Sequence, residues 1–328
     1  MLTYILRRVL LLIPTLFVIS VISFIVIQLP PGDFLTSQII ALQSQGQLVD
    51  QSVIDAMRQQ YGLDQPMYVQ YYKWMSGILL HGDFGQSLQW RQPVADLIWE
   101  RLALTVALSL ASLLFIWVVA FPVGIYSAIK QYSPGDYLFT FVSFVGLGVP
   151  NFLLALVIMW LAFSKLGLTV AGLFSPEFQN APWSWARVGD LLAHIWVPMI
   201  VLALGGTAGL FRIMRANLLD ELNKPYVETA RAKGVKERDL ILKYPVRMAL
   251  NPFVSTVGWT LPGLVSGSVI VSVVLNLPTT GPLLLTALQA QDMYLAGSFL
   301  LMLSVLTVIG TLISDILLAW LDPRIRLS

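Results

Sequence analysis

The stretch Lys224–Pro252 reads KPYVETARAKGVKERDLILKYPVRMALNP. It is charged and rich in small residues, and it interrupts a chain that is 57% hydrophobic. Pro225 suits the first turn of a helix, because its missing donor would be unpaired there anyway. Tyr226–Lys233 reads as helix, and Gly234 reads as its left-handed C-cap. Val235–Tyr244 reads as a second short helix, with Asp239 and Lys243 at a favourable i,i+4 spacing. Pro245 then ends it. Neither helix is long enough to be stable alone in water, so something must bury one face. Thr229, Ala230, Ala232 and Gly234 make the segment thin enough to enter a groove. Lys224, Arg231, Lys233, Lys236 and Arg238 suit anionic lipid or an acidic rim equally well. A lipid-hugging loop and a docking element for a protein partner both fit these residues.

The flanking sequence sets the context. Mean hydropathy is +0.76 and charged residues make up 12% of the chain, against about 25% in soluble domains. A membrane helix needs about 20 apolar residues. Charge-poor runs of that length lie at 9–29, 102–129, 137–164, 191–211, 253–275 and 296–321. The expected fold is therefore an all-α polytopic membrane protein with six transmembrane helices. Residues 1–8 precede the first span, 30–101 form an extracytoplasmic segment, and 212–252 form the charged loop. Residues 102–328 make the core domain. The first apolar run is longer than the roughly 7–15 residues of a cleavable signal, and no small-residue cleavage site follows, so it reads as an uncleaved span. Pro14, Pro122, Pro150, Pro198 and Pro262 lie in or beside the first five spans, where they would kink helices. Gly205/Gly209 and Gly263/Gly267 suit close helix packing.

Lys and Arg set the orientation. With both termini cytoplasmic, fourteen of them fall inside and six outside. The charged loop is then cytoplasmic. In the outer segment, Tyr68, Tyr71, Tyr72, Trp74, Met75 and Ile78 would dress a short helix with amphipathic groups. That pattern reads first as an interfacial helix at headgroup depth and second as a docking surface for a soluble partner.

Several functions are disfavoured. There is no cysteine, and His81 and His194 are far apart, so a metal site built by this chain is not expected. A net charge of +2 does not suggest nucleic acid. No G-x-x-x-x-G-K-[ST] phosphate loop occurs, so ATP hydrolysis by this chain is not expected. Asp315 reads as an anchor near Arg324 and Arg326, and His194 as a satisfied interfacial histidine. No midplane ion or proton relay is visible, which disfavours a stand-alone secondary transporter. A non-transporting membrane scaffold that uses the loop to recruit a partner stays open.

ETARAKG at Glu228–Gly234 resembles the EAA signature (E-A-A, three residues, G) of permease subunits of ATP-binding-cassette importers, with Thr229 in place of the first alanine and Pro252 matching the downstream proline. ILRRVLLLIPTL and PPGD near the N-terminus, YGLDQPMYVQYYKW and HGDFGQSL in the outer segment, and LDPRIR at Leu321–Arg326 resemble the peptide/nickel/opine/oligosaccharide permease family. The chain departs from that pattern in PGDF for PGDP, in LPTTGP after the fifth span, and in Pro245.

The resemblance implies a type I importer permease fold and an importer of peptides, with an oligosaccharide as the alternative solute. It implies that Glu228, Thr229, Ala230 and Gly234, with the basic Arg231, Lys233 and Arg247, couple the loop to an ATPase. It also implies a second homologous permease, two cytoplasmic ATPase subunits and an extracytoplasmic solute-binding protein, in a bacterial or archaeal plasma membrane. No cofactor is expected on this chain, with ATP and Mg on the ATPase subunits.

Overall fold

The computed structural model describes residues 2–29, 59, 64–167, 170–255 and 257–321. PPGD at 30–33, the YGL of the outer motif at 61–63, and Arg324 and Arg326 lie outside the described residues. In chain order the helices are α1 (Leu2–Gln28), α2 (Met67–Ser76), α3 (Val94–Ile129), α4 (Pro134–Gly148), α5 (Asn151–Leu166), α6 (Trp185–His194) and α7 (Trp196–Leu222). Then follow α8 (Pro225–Ala232), α9 (Glu237–Lys243), α10 (Pro245–Ser255), α11 (Val257–Val274), α12 (Thr280–Gln289) and α13 (Met293–Leu321). Helix α2 continues into a π turn, Gly77–His81. The extended structure among the described residues is one isolated bridge, Gln86 to Pro93.

Four helices among the described residues are long and apolar enough to cross a bilayer: Leu6–Gln28, Val94–Ile129, Trp196–Leu222 and Met293–Ile316. The segment expected as one third span is two helices, α4 and α5, bent by 107°. The bend has a local cause. A residue before proline is pushed out of the helical region, and Val149 sits at φ −94°, ψ 121° ahead of Pro150. Pro14 and Pro122, by contrast, lie inside α1 and α3 without ending them. Helix α11 has 18 residues, about 27 Å at 1.5 Å per residue, close to the ~30 Å hydrocarbon core.

The chain forms two compact units. The first comprises 1–6, 105–278 and 307–328. Its centre is α7, which packs against α4, α5, α10 and α11. Val201, Ala203, Met214 and Leu218 of α7 are fully buried. Lipid is as apolar as leucine, so shape and polar pairing must select these neighbours. Small residues mark the close approaches. A Cβ added at Gly124 would sit 2.7 Å from Met214 Cβ, and one at Gly146 would sit 3.1 Å from Leu204 Cγ. Of the small pairs singled out above, Gly205 faces the Gly146 carbonyl, while Gly209, Gly263 and Gly267 face open space.

The second unit comprises 7–104 and 279–306. Phe299, Ile98, Val94 and Leu295 are fully buried at its core, with Leu283 and Leu284 of α12. Beside them, Trp74 stacks on Phe24 at 5.6 Å and Tyr71 meets Phe24 edge-on at 5.4 Å. Ser20 Oγ and Tyr71 OH are hydrogen-bonded at 2.7 Å. The aromatic helix of the outer segment is therefore divided. Tyr71, Trp74, Met75 and Ile78 pack inside the chain, while Tyr68, Tyr72 and Leu79 stay exposed.

Gly124→Ala is expected to destabilise the protein by about 1–3 kcal/mol, because its methyl meets a Cβ that cannot swing away. Gly209→Ala, with nothing within 4 Å, should leave stability unchanged or slightly raised. Thermal unfolding of the two purified variants in one detergent checks the contrast.

Candidate functional site

The charged segment folds into three short helices, α8, α9 and α10. Pro225 is the first residue of α8, and Lys224 is its extended N-cap. At the other end, Gly234 has φ +77°. Gly234 N donates to Arg231 O at 3.0 Å and Val235 N to Ala230 O at 3.3 Å. This is a Schellman closure, in which the left-handed residue turns the chain back to satisfy the last carbonyls. Nothing lies within 4 Å of where a Gly234 Cβ would be, so its backbone angle alone requires glycine.

Arg231 then clamps the turn. Its Nε and Nη2 donate to the two Glu237 carboxylate oxygens at 3.1 and 2.7 Å. That hydrogen bond holds the Glu237 carboxyl below its usual range. Glu237 binds its proton less readily when paired, so the clamp is complete above the ordinary glutamate range and is lost as pH falls through the lowered value. Both side chains are about half exposed, so the clamp shapes the turn more than it stabilises the fold. The Asp239–Lys243 pair expected from spacing is not formed; Lys243 Nζ lies over the Tyr244 ring instead, at 5.8 Å. Burial and the Glu221 carboxylate, which accepts from Tyr226 OH at 2.6 Å, push the Tyr226 phenol up.

The chain itself buries one face of this segment, where sequence reasoning looked for lipid or a partner. Val227 and Leu240 are fully buried, and Ile241, Val246 and Ala249 are nearly so. Pro245 does more than end α9. It is the first residue of α10, which packs on α7. The elbow is thus mounted on the central helix of its unit.

The residues singled out by sequence lie on the opposite side. Glu228, Thr229, Arg231, Lys233, Gly234 and Arg247 are exposed, and Ala230 is half-buried. Thr229 Oγ1 donates to Pro225 O at 2.8 Å, which turns its hydroxyl onto its own helix.

A second feature was not legible in the sequence. Arg215 of α7 grips Asp136 of α4 through Nε and Nη2, each at 2.8 Å. Asp136 is buried and takes a third bond from Tyr132 N at 2.9 Å. Ser133 caps α4, accepting from Asp136 N at 3.2 Å, with Pro134 next in line. The cap, proline and acid of SPGD do announce a helix start, but no local signal announces a partner 79 residues away.

In the other unit, Asp292 is fully buried ahead of α13. Its Oδ2 accepts from Ser87 Oγ at 2.5 Å and Gln89 N at 3.1 Å, and its Oδ1 from Leu295 N at 3.2 Å. The HGDFGQSL stretch is thereby tied to the start of α13. Gly85, at φ +85°, lies so close to the Tyr294 ring that a Cβ there would sit 2.8 Å from it. His194 Nδ1 lies 2.8 Å from the Asp190 carbonyl oxygen, a satisfied position rather than a site. No group of three or more metal-ligating side chains occurs among the described residues.

The helical fold has a counterpart among solved ATP-binding-cassette transporters. The MetNI methionine ABC transporter, solved in inward-facing conformations, superposes with a TM-score of 0.55 at 17% identity, over 69% of this chain and 96% of that one. Residues 120–327 match the profile of the binding-protein-dependent transport system inner membrane component, and residues 1–109 match the N-terminal profile of the corresponding membrane component. The chain belongs to this family of inner-membrane transport components. The oligopeptide transport system permease protein AppB of Bacillus subtilis is 37% identical over 331 residues, covering 99% of this chain and all of that protein. The glutathione transport system permease protein GsiC of Escherichia coli is 34% identical over 326 residues, covering 99% of each.

Removing Arg215 should cost about 3–5 kcal/mol, because it strands the buried Asp136 charge. The double variant Asp136→Leu/Arg215→Met is expected to unfold closer to wild type than Arg215→Met alone. A double-mutant cycle on thermal unfolding in detergent measures that coupling.

Proposed function

We propose that this chain is the permease subunit of an ATP-driven importer of peptides, delivered by an extracytoplasmic binding protein. The reading is carried by the capped α8 elbow with its outward Glu228–Gly234 face. Family membership supports it, as do full-length relatives named for oligopeptide and glutathione transport. Six spans are assigned to α1, α3, the α4–α5 pair, α7, α11 and α13, with both termini and the elbow cytoplasmic.

In this reading Glu228, Thr229, Ala230, Arg231, Lys233, Gly234 and Arg247 meet a groove on an ATPase subunit. Two such subunits hold ATP and Mg, and a second, homologous permease completes the path. A rigid elbow transmits displacement without chemistry of its own. Closure of the ATPases moves α8, the Arg231–Glu237 clamp carries α9 with it, and α10 passes the movement to α7. The Asp136–Arg215 pair then obliges α4 to follow α7. The spans rock between inward- and outward-facing states around the solute.

Reconstitution with both ATPases, the second permease and the binding protein should give peptide uptake that requires ATP hydrolysis and survives collapse of ion gradients. Uptake by the permeases without ATPases would overturn the reading. Gly234→Val should insert normally but lose ATPase docking or uptake by about tenfold, equivalent to ~1.4 kcal/mol of lost contact. Gly234→Asn, which tolerates the left-handed region, should retain most of it.

A further inference from the structure

The second unit contains a pocket of about 300 Å³ beside the π turn, lined by Lys73, Trp74, Asp83, Gly85, Gln86 and Tyr294. That volume is at the small end of ligand sites. Its frame is held by the backbone. Asp83 N donates to Gly77 O at 3.0 Å, Gly85 N to Asp83 Oδ1 at 2.8 Å, and Gln86 Nε2 to Arg91 O at 3.0 Å. Gly85 is pressed against the Tyr294 ring, and Trp74 is fixed from behind by its stack on Phe24. π turns of this kind recur at functional sites, because they widen a helix where a side chain or ligand must fit.

The chemistry of the lining is specific. Lys73 and Asp83 put opposite charges on one small pocket, yet no ion pair joins them among the described residues. The Asp83 bond to Gly85 N uses one carboxylate oxygen and leaves the other for a ligand. The rings of Trp74 and Tyr294 give apolar walls, and Gln86 adds an amide. A phosphate would meet the Asp83 carboxylate. A metal ion would find a single acidic ligand. A molecule with a carboxylate at one end, an ammonium at the other and a short body between meets complementary groups at each point.

We propose that this pocket binds a small zwitterion of the amino acid or short-peptide class, with Lys73 taking its carboxylate, Asp83 its ammonium, and Trp74 and Tyr294 flanking its body. The proposal deepens the peptide reading and rests on it for the choice of probe. It gives the permease a contact of its own with the solute's termini, separate from any made by a binding protein.

The test uses the intact permease–ATPase complex in nanodiscs, without binding protein, and trialanine as probe. Saturation-transfer NMR and calorimetry compare free trialanine with its C-amidated and N-acetylated forms. Wild type should prefer the free peptide by about tenfold over each blocked form. Lys73→Met should abolish the preference over the amide and keep the preference over the acetyl form. Asp83→Asn should do the reverse, and Lys73→Arg should restore discrimination against the amide. Both side chains are exposed, so the variants should fold, and thermal unfolding checks that they do. No binding of trialanine at millimolar concentration, or preferences that survive both substitutions, would overturn the proposal. ATP-driven uptake is measured on the same wild-type complex with binding protein restored. Uptake without terminus discrimination removes the pocket alone, whereas discrimination without uptake removes the importer reading and leaves the pocket standing.

Discussion

A buried carboxylate has given up its water, so its hydrogen bonds must come from the protein itself. Asp136 is met on three sides, twice by the Arg215 guanidinium and once by the Tyr132 amide. The fork of the arginine fixes orientation as well as distance. To present Asp136 in that way the chain turns through Tyr132 at φ +63°, caps with Ser133 and starts α4 on Pro134. The start of α4 is thereby locked to α7, the helix on which the first unit is built. The elbow of α8 to α10 is mounted on that same helix through α10. A polar clasp and a polar elbow thus share one helix, and in the importer proposed above that helix is what would turn a push at α8 into a tilt of spans.

The second unit uses the same device for a different end. Asp292 also stands just ahead of a helix, where the N-terminal dipole favours its charge. It gathers Ser87, Gln89 and Leu295, so the loop that carries Ser87 is tied to the start of α13. That restraint, with the glycine contact at Tyr294, keeps Lys73 and Asp83 on one pocket. Tyr68 and Tyr72 of α2 stay exposed, while their buried neighbours anchor the helix.

Much of this was legible along the chain because it depends on near neighbours. A charge-poor run of twenty residues marks an apolar helical segment, although the run at 137–164 is two helices and not one. Pro225 and Gly234 bracket α8 because each acts through its own backbone. The break at Val149–Pro150 is also local, although its size, 107°, depends on what α4 and α5 pack against. The sequence leaves the burial of one face of α8 and α9 open between lipid and a protein partner, because it does not show that Val227, Leu240 and Val246 are covered by the chain itself once the elbow is folded.

By itself, then, the sequence determined the helical membrane architecture, the place of the elbow, and the face it offers through Glu228, Thr229 and Gly234. Those features follow from hydropathy and from backbone preferences within a few residues. The tertiary structure alone decided that Arg215 would find Asp136 across 79 residues and Asp292 would find Ser87 across 205. It also decided that Lys73 and Asp83 would share a pocket with Tyr294. A long-range polar pair leaves no periodic trace in a sequence, since its partners are chosen by the packing of helices and not by their spacing.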